Sequence, residues 1–197
     1  MAEARTDKAP PKQSIRDPLV WIDCEMTGLN PDKDHILEIC VVITDADLNV
    51  VAEGPEIIIR YEKEVLDQMG EWCVKHHGES GLTARVLDSK TTLSDAQKQI
   101  IDFIKSHVGK GEACLAGNSV HADKMFLVRE FPEVVEWLHY RIVDVSTLKE
   151  LVRRWYPDVF TRLPQKKLSH RARDDILESI EELKWYRRTV MKKEKAA

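Results

Sequence analysis

The stretch Val20-Trp21-Ile22-Asp23-Cys24-Glu25-Met26-Thr27-Gly28 decides how this chain is read. It opens on apolar, β-branched residues, and side chains alternate across a strand. Val20, Ile22, Cys24 and Met26 therefore share one face, fit for a core, while Asp23 and Glu25 share the other. Gly28 ends the strand and leaves the two acids near its tip. Two carboxylates side by side repel, and ionising both is costly unless a cation lies between them. Taken alone, the pair reads equally well as two solvated acids on an exposed face.

Outward from this strand the pattern stays β-rich. Ile36–Thr44 and the run 50–59 are apolar, and the polar link Asp45–Asn49 suggests a hairpin, so three neighbouring antiparallel strands are expected. After Arg60 the pattern turns helical, with Leu93, Ala96, Ile100, Ile101 and Ile104 marking one long helix. Cys114-Leu115-Ala116-Gly117 is a short buried strand, His121 to Arg129 a helix that breaks at Pro132, and Ile142-Val143 another short strand. Asp144 is placed to cap a helix whose apolar positions are Val145, Leu148, Val152 and Trp155. A last helix spans about Ala172 to Val190. Strands first, then alternating strand and helix, predicts an α/β fold: a mixed sheet of three antiparallel strands and shorter later ones, flanked by helices.

A chain of 197 residues suits a single domain, expected at 18–190 between a disordered leader, 1–17, and a polar tail, 191–197. The leader lacks the apolar centre of a secretory signal, and its acids Glu3, Asp7 and Asp17 fit a mitochondrial presequence poorly. Cytoplasmic residence is expected, with the mitochondrion as the other compartment. No apolar run approaches the roughly 20 residues of a membrane span. Cys24, Cys40, Cys73 and Cys114 form no CxxC pair and read as reduced thiols. The net charge of -4 argues against a grip on a long nucleic-acid backbone, which calls for excess Lys and Arg.

Two further acids are candidates. Asp123 sits in the first turn of a helix that follows a buried strand, where a carboxylate also complements the helix dipole. In His170-Arg171-Ala172-Arg173-Asp174-Asp175, residues five apart would diverge by about 140° on one helix. His170 and Asp175 can serve one site only if His170 lies on the loop before the helix.

A DxE on the first strand, a central Asp and a terminal HxxxxD, in that order, resemble the DEDDh 3′→5′ exonuclease family, whose fold is RNase H-like. Asp144-Val145-Ser146-Thr147-Leu148-Lys149-Glu150-Leu151, His139-Tyr140-Arg141 and Gly117-Asn118-Ser119 extend the resemblance, which spans about Pro18 to Arg188 and is closest to the branch acting on very short RNA. The resemblance implies that Asp23, Glu25, Asp123 and Asp175 hold two divalent ions, Mg²⁺ or Mn²⁺, about 4 Å apart. His170 would be the general base, and by the family spacing Asp175, not Asp174, the ligand. Short oligoribonucleotides, dinucleotides above all, would be cut to 5′-mononucleotides. The resemblance further assigns a cap on the 5′ phosphate to Ser119, Arg141, Ser146 and Thr147, base contacts to Leu29, Trp72 and Tyr140, and a phosphate or sugar contact to His77. It implies a homodimer in which Tyr140 reaches the partner's site. The alternative is a DEDDh exonuclease on longer RNA or DNA, of proofreading type; a rival of another class is a non-catalytic nucleotide-binding adaptor. The text from Tyr156 to Gln165 follows no recognisable motif.

Overall fold

The computed structural model describes residues 14–164 and 171–191. Most of the expected leader and tail lies outside the described residues, and so does the candidate base His170. Described chain begins at Ser14, inside the expected leader. Ile15 packs on the core, and the Arg16 carbonyl accepts the Ala46 amide at 2.9 Å.

The chain runs β1 (Leu19–Met26), β2 (Ile36–Thr44), β3 (Val50–Ile58), then helices α1 (Lys63–Leu66), α2 (Glu71–Glu79), α3 (Leu82–Asp88) and α4 (Leu93–His107). There follow β4 (Cys114–Gly117), α5 (Val120–Glu130), α6 (Pro132–Trp137), β5 (His139–Asp144), α7 (Val145–Trp155), α8 (Pro157–Phe160) and α9 (Ala172–Thr189). The sheet order is β3-β2-β1-β4-β5. The first three strands are antiparallel, as their short polar link predicts, and β4 and β5 add parallel to β1. The mixed sheet expected from the sequence is therefore present.

Both faces of the sheet are covered. Val20, Ile22 and Cys24 pack with Ile100 and Ile104 of α4 and Phe126 and Leu127 of α5. Trp21, on the face of the two acids, is fully buried against Ile176, Ile180 and Tyr186 of α9, and its indole N–H donates to Thr44 Oγ1 at 3.0 Å. Alternation assigns the faces of β1 correctly, but the second face is a core too up to Trp21. Two-sided cover also explains β2, whose nine residues are all buried.

The helix breaks before Pro132 as expected, α5 ending at Glu130. Pro132 then starts α6 at its first turn, where the missing N–H has no intrahelical role, and Phe131 forms the joint. Strand β5 extends the expected Ile142-Val143 to six residues, and the motif-free text after Trp155 contains the short helix α8.

Glu130, at the end of α5, is buried and accepts from the Ile36 amide at 3.0 Å, while His35 Nδ1 lies 2.8 Å from its other oxygen. Arg129 ion-pairs with it and donates to the carbonyls of Pro31 and Asp34. This one carboxylate thus anchors the start of β2. We expect Glu130→Ala to destabilise the protein by about 3 kcal/mol in urea unfolding, because it leaves the buried Ile36 amide without its acceptor and removes the ion pair with Arg129. A loss below about 0.5 kcal/mol, the range of ordinary surface substitutions, would refute that role.

Candidate active site

Among the described residues, one carboxylate group could hold a metal ion: Asp23, Glu25 and Asp175 each offer an oxygen, and these atoms lie within 4.8 Å of one another. The first two come from the half-buried tip of β1, on the face that α9 crosses. The third comes from the first turn of α9. Asp174 stays beside Arg173, 4.0 Å from its guanidinium, outside the group. The phase of α9 thus separates the two neighbouring acids.

Asp123 belongs beside this group by a different device. Strand β4 pairs with β1 only as far as Trp21. Beyond it the inner edge of β1 has no strand partner, and the Asp123 carboxylate accepts the Cys24 amide at 3.0 Å. Asp123 is buried. Burial, opposed by its amide hydrogen bonds, pushes its carboxyl up to about 7. Glu25 is pushed up to about 8, by burial first and then by the charges of Asp175, Glu38 and Asp123. Asp175 and Asp123 therefore sit where their charges raise the cost of ionising Glu25. An all-carboxylate donor set is hard and suits Mg²⁺ or Mn²⁺, and the accumulated negative charge fits a divalent cation.

A second polar centre lies at the N-terminus of α7. Asp144 Oδ1 accepts both the Ser146 amide, as the expected cap, and the Ser119 amide, each at 2.9 Å. Ser119 N–H also reaches Ser146 Oγ at 2.9 Å, and the two hydroxyl oxygens are 3.0 Å apart. Ser119 holds a left-handed conformation, φ 53°, as the chain turns from β4 into α5. Thr147 follows in the first turn of α7. Arg141, on β5, lays its guanidinium 5.3 Å from the Tyr140 ring centre, and Tyr140 stacks on His139.

The remaining candidates flank the tip of β1. Leu29 is 81% exposed on the loop after the strand. That loop is braced by Asp34, which accepts from Thr27 Oγ1 and the Asn30 amide, both at 2.9 Å. Asp34 Oδ2 lies 2.4 Å from where a Cβ on Gly28 would fall, so a larger residue there would have to displace the Asp34 carboxylate from its brace. Trp72 is largely exposed on α2 and stacks on His76 at 3.9 Å. His77 is buried, its Nε2 2.9 Å from the Met26 carbonyl, which fastens α2 to the end of β1.

Glu38 was missed by sequence reading. It is fully buried directly across from Glu25, in an ion pair with Arg85 at 3.2 Å. A lone acid inside the apolar run Ile36–Thr44 was the available signal. Burial, with a hydrogen bond to Glu56, raises its carboxyl to about 7.

Carboxyls held above their ordinary range bind more protons folded than unfolded. Their effect is most favourable below pH 4 and is lost as pH rises through about 8. In EDTA, Tm should therefore fall from pH 5 to pH 8. Mn²⁺ or Mg²⁺ at pH 8 should restore it, and Glu25→Gln should raise Tm in EDTA while blunting the metal response. A Tm insensitive to both pH and metal would contradict this electrostatic account.

The family described as Exonuclease matches residues 20–183. Mouse "Oligoribonuclease, mitochondrial" is 51% identical over 181 residues, covering 92% of this chain and 76% of that protein. A "Probable oligoribonuclease" of Dictyostelium discoideum is 55% identical over 174 residues, covering 88% and 90%. The oligoribonuclease of Hydrogenovibrio crunogenus is 51% identical over 172 residues, covering 87% and 93%. Among solved structures, Exonuclease I of Methylocaldum szegediense superposes with TM-score 0.67 at 15% identity, covering 88% of this chain and 41% of that one. E. coli Exonuclease I with a 5cy-dT13 oligonucleotide gives 0.69 at 17%, covering 89% and 41%. The chain spans about two fifths of these enzymes' length, and at such identity they attest the RNase H-like fold alone. With half its residues shared along nearly its whole described length, the chain belongs to the oligoribonucleases of the exonuclease family and is a 3′→5′ exoribonuclease.

Proposed function

We propose that the protein degrades very short oligoribonucleotides, dinucleotides above all, to 5′-mononucleotides, with two divalent ions and a histidine base. One observation carries the reading. Strands β1, β4 and β5 run parallel, so the acidic tip of β1 and the N-terminus of α7 open on the same edge of the sheet. Ligands of α/β sheets bind outside such carboxyl ends.

Asp23, Glu25, Asp123 and Asp175 would hold the ions. When bound, such ions neutralise charge at the scissile phosphate and stabilise the oxygens on either side of it. The protein's own part is to fix these carboxylates, orient the 3′ nucleotide and accept a proton. His170 takes that proton from the attacking water, since an imidazole titrates near neutrality. At the other end Ser119, Arg141, Ser146 and Thr147 grip the 5′ phosphate. Arg141 supplies a planar donor fork, and the helix N-terminus favours an anion. Leu29, Trp72 and Tyr140 hold the bases, and His77 contacts a phosphate or sugar near Trp72. Aromatic faces stack on any base, which gives affinity without sequence choice.

A homodimer completes the reading. Tyr140 is 72% exposed, and Met125 and Val128 expose apolar surface on the same α5 whose Lys124 donates to the Tyr140 carbonyl. A partner would cover this strip and share Tyr140 with its own site. No helix among the described residues is long and apolar enough to cross a membrane. We assign the protein to the cytoplasm, with the mitochondrion as the alternative that fractionation would detect.

The decisive experiment is hydrolysis of a 5′-phosphorylated diribonucleotide beside a seven-mer, in Mg²⁺ and in EDTA. We expect metal-dependent cleavage that strongly favours the dinucleotide, and a loss of at least about 1,000-fold in kcat for Asp23→Ala or His170→Ala. Equal or faster cleavage of the seven-mer would remove the cap and favour an enzyme for longer strands. Full turnover by His170→Ala would remove the base, and a fully active monomer in light scattering would remove the shared site.

A further inference from the structure

Asn118 stands between the two poles of the site. It follows the last residue of β4 and precedes Ser119. Gly117 before it packs tightly, since a Cβ there would come within 3.0 Å of Val120 and 3.1 Å of the Ile22 carbonyl. The Asn118 amide reaches α9. Its Nδ2 donates to Ser179 Oγ at 2.8 Å and to Glu182 Oε2 at 3.1 Å. These residues are four and seven positions after Asp175, on one face of α9. Ser179 Oγ in turn donates to the Asp175 carbonyl at 2.7 Å. On its other side, Asn118 Oδ1 accepts Ser146 Oγ at 3.1 Å.

The direction of this chain is settled by chemistry. Glu182 also accepts from Tyr186 Oη at 3.0 Å, and its carboxylate can only accept. The amide nitrogen must therefore face Glu182, and the amide oxygen must face Ser146. The Ser146 proton is then directed to Asn118, and its lone pairs receive the Ser119 amide and hydroxyl. Ser146 stays locked, while the Ser119 hydroxyl can turn its proton to an incoming phosphate oxygen.

We infer that Asn118 is a positioning residue that couples the 5′-phosphate cap at Ser119 and Ser146 to the helix carrying Asp175. The inference rests on the cap proposed above. It means that seating the 5′ phosphate and setting the acidic pole are not independent events. Ser179 and Glu182 are both buried, so water does not readily replace the link, and a severed link leaves polar groups without partners.

The test compares kcat and KM for 5′-phosphorylated and 5′-hydroxyl diribonucleotides in Mg²⁺. Asn118→Ala should shrink the preference for the phosphorylated substrate roughly tenfold, mainly through KM, and lower kcat on both. Asn118→Asp should do the same, because a carboxylate cannot donate to Glu182. The double variant Asn118→Asp/Glu182→Gln exchanges donor and acceptor across the pair and should recover at least about threefold. Ser179→Ala, which removes the hydroxyl joining Asn118 to the Asp175 carbonyl while leaving the Glu182 contact, serves if the Asn118 variants do not fold, and should lower kcat. A preference within about twofold of wild type in folded Asn118→Ala, or in Ser179→Ala an unchanged kcat, would overturn the coupling while leaving the cap intact. A wild type indifferent to the 5′ phosphate would overturn the cap and the coupling together.

Discussion

Strand β1 outruns its parallel neighbour. Strand β4 has four residues and pairs with β1 only from Leu19 to Trp21, so the inner edge of β1 beyond that point has no ladder. A buried amide must still be satisfied. At Cys24 the partner is the carboxylate of Asp123, brought there because Ser119 turns the chain sharply from β4 into α5. The short strand therefore opens the gap, and Asp123 closes the resulting hydrogen bond.

The arrangement works against the stability of the protein alone. Glu25 faces Asp175 and Asp123 on one side and Glu38 across the ladder on the other. Arg85 relieves part of this crowding through its ion pair with Glu38. A hydrophobic residue at 38 would remove a buried charge and the need for Arg85, so packing does not account for the acid there. The like-charge strain concentrated at the tip of β1 is of the kind that a bound cation relieves and that folding alone does not favour.

Much of this was legible in the sequence, and the limits have physical reasons. Alternation in Leu19–Met26 assigned the faces of β1, the polar link Asp45–Asn49 fixed the antiparallel start, and Asp144 was identified as a cap from local spacing. Each is a short-range rule. The covered face around Trp21 was not legible, because what covers it is α9, some 150 positions later in the sequence. Pro132 marked the end of α5 because proline disfavours helix interiors, but the short helix α6 that it starts was not read, although proline is at ease in a first turn. Asn118, Glu38 and Glu130 act through long-range polar contacts. No periodicity marks such residues. Glu38 carried a signal as an acid among apolar neighbours, and Asn118 only as part of the motif Gly117-Asn118-Ser119.

The site as proposed has poles of opposite character, which bears on substrate length. An acidic cluster repels a polyanion until cations are present, so the carboxylates cannot by themselves recruit a nucleotide. Recruitment falls to the α7 N-terminus, Arg141 and the stacking faces of Trp72 and Tyr140. Their pull on the backbone is local, since the protein as a whole carries a net charge of -4 and offers a long strand no favourable track. A substrate just long enough to place a terminal phosphate at one pole and a scissile phosphate at the other gains from both. A longer strand must push its extra phosphates past a capped end into a field that does not attract them. On this reading, selection for short RNA arises from where the anion-binding groups stop as much as from the groups themselves.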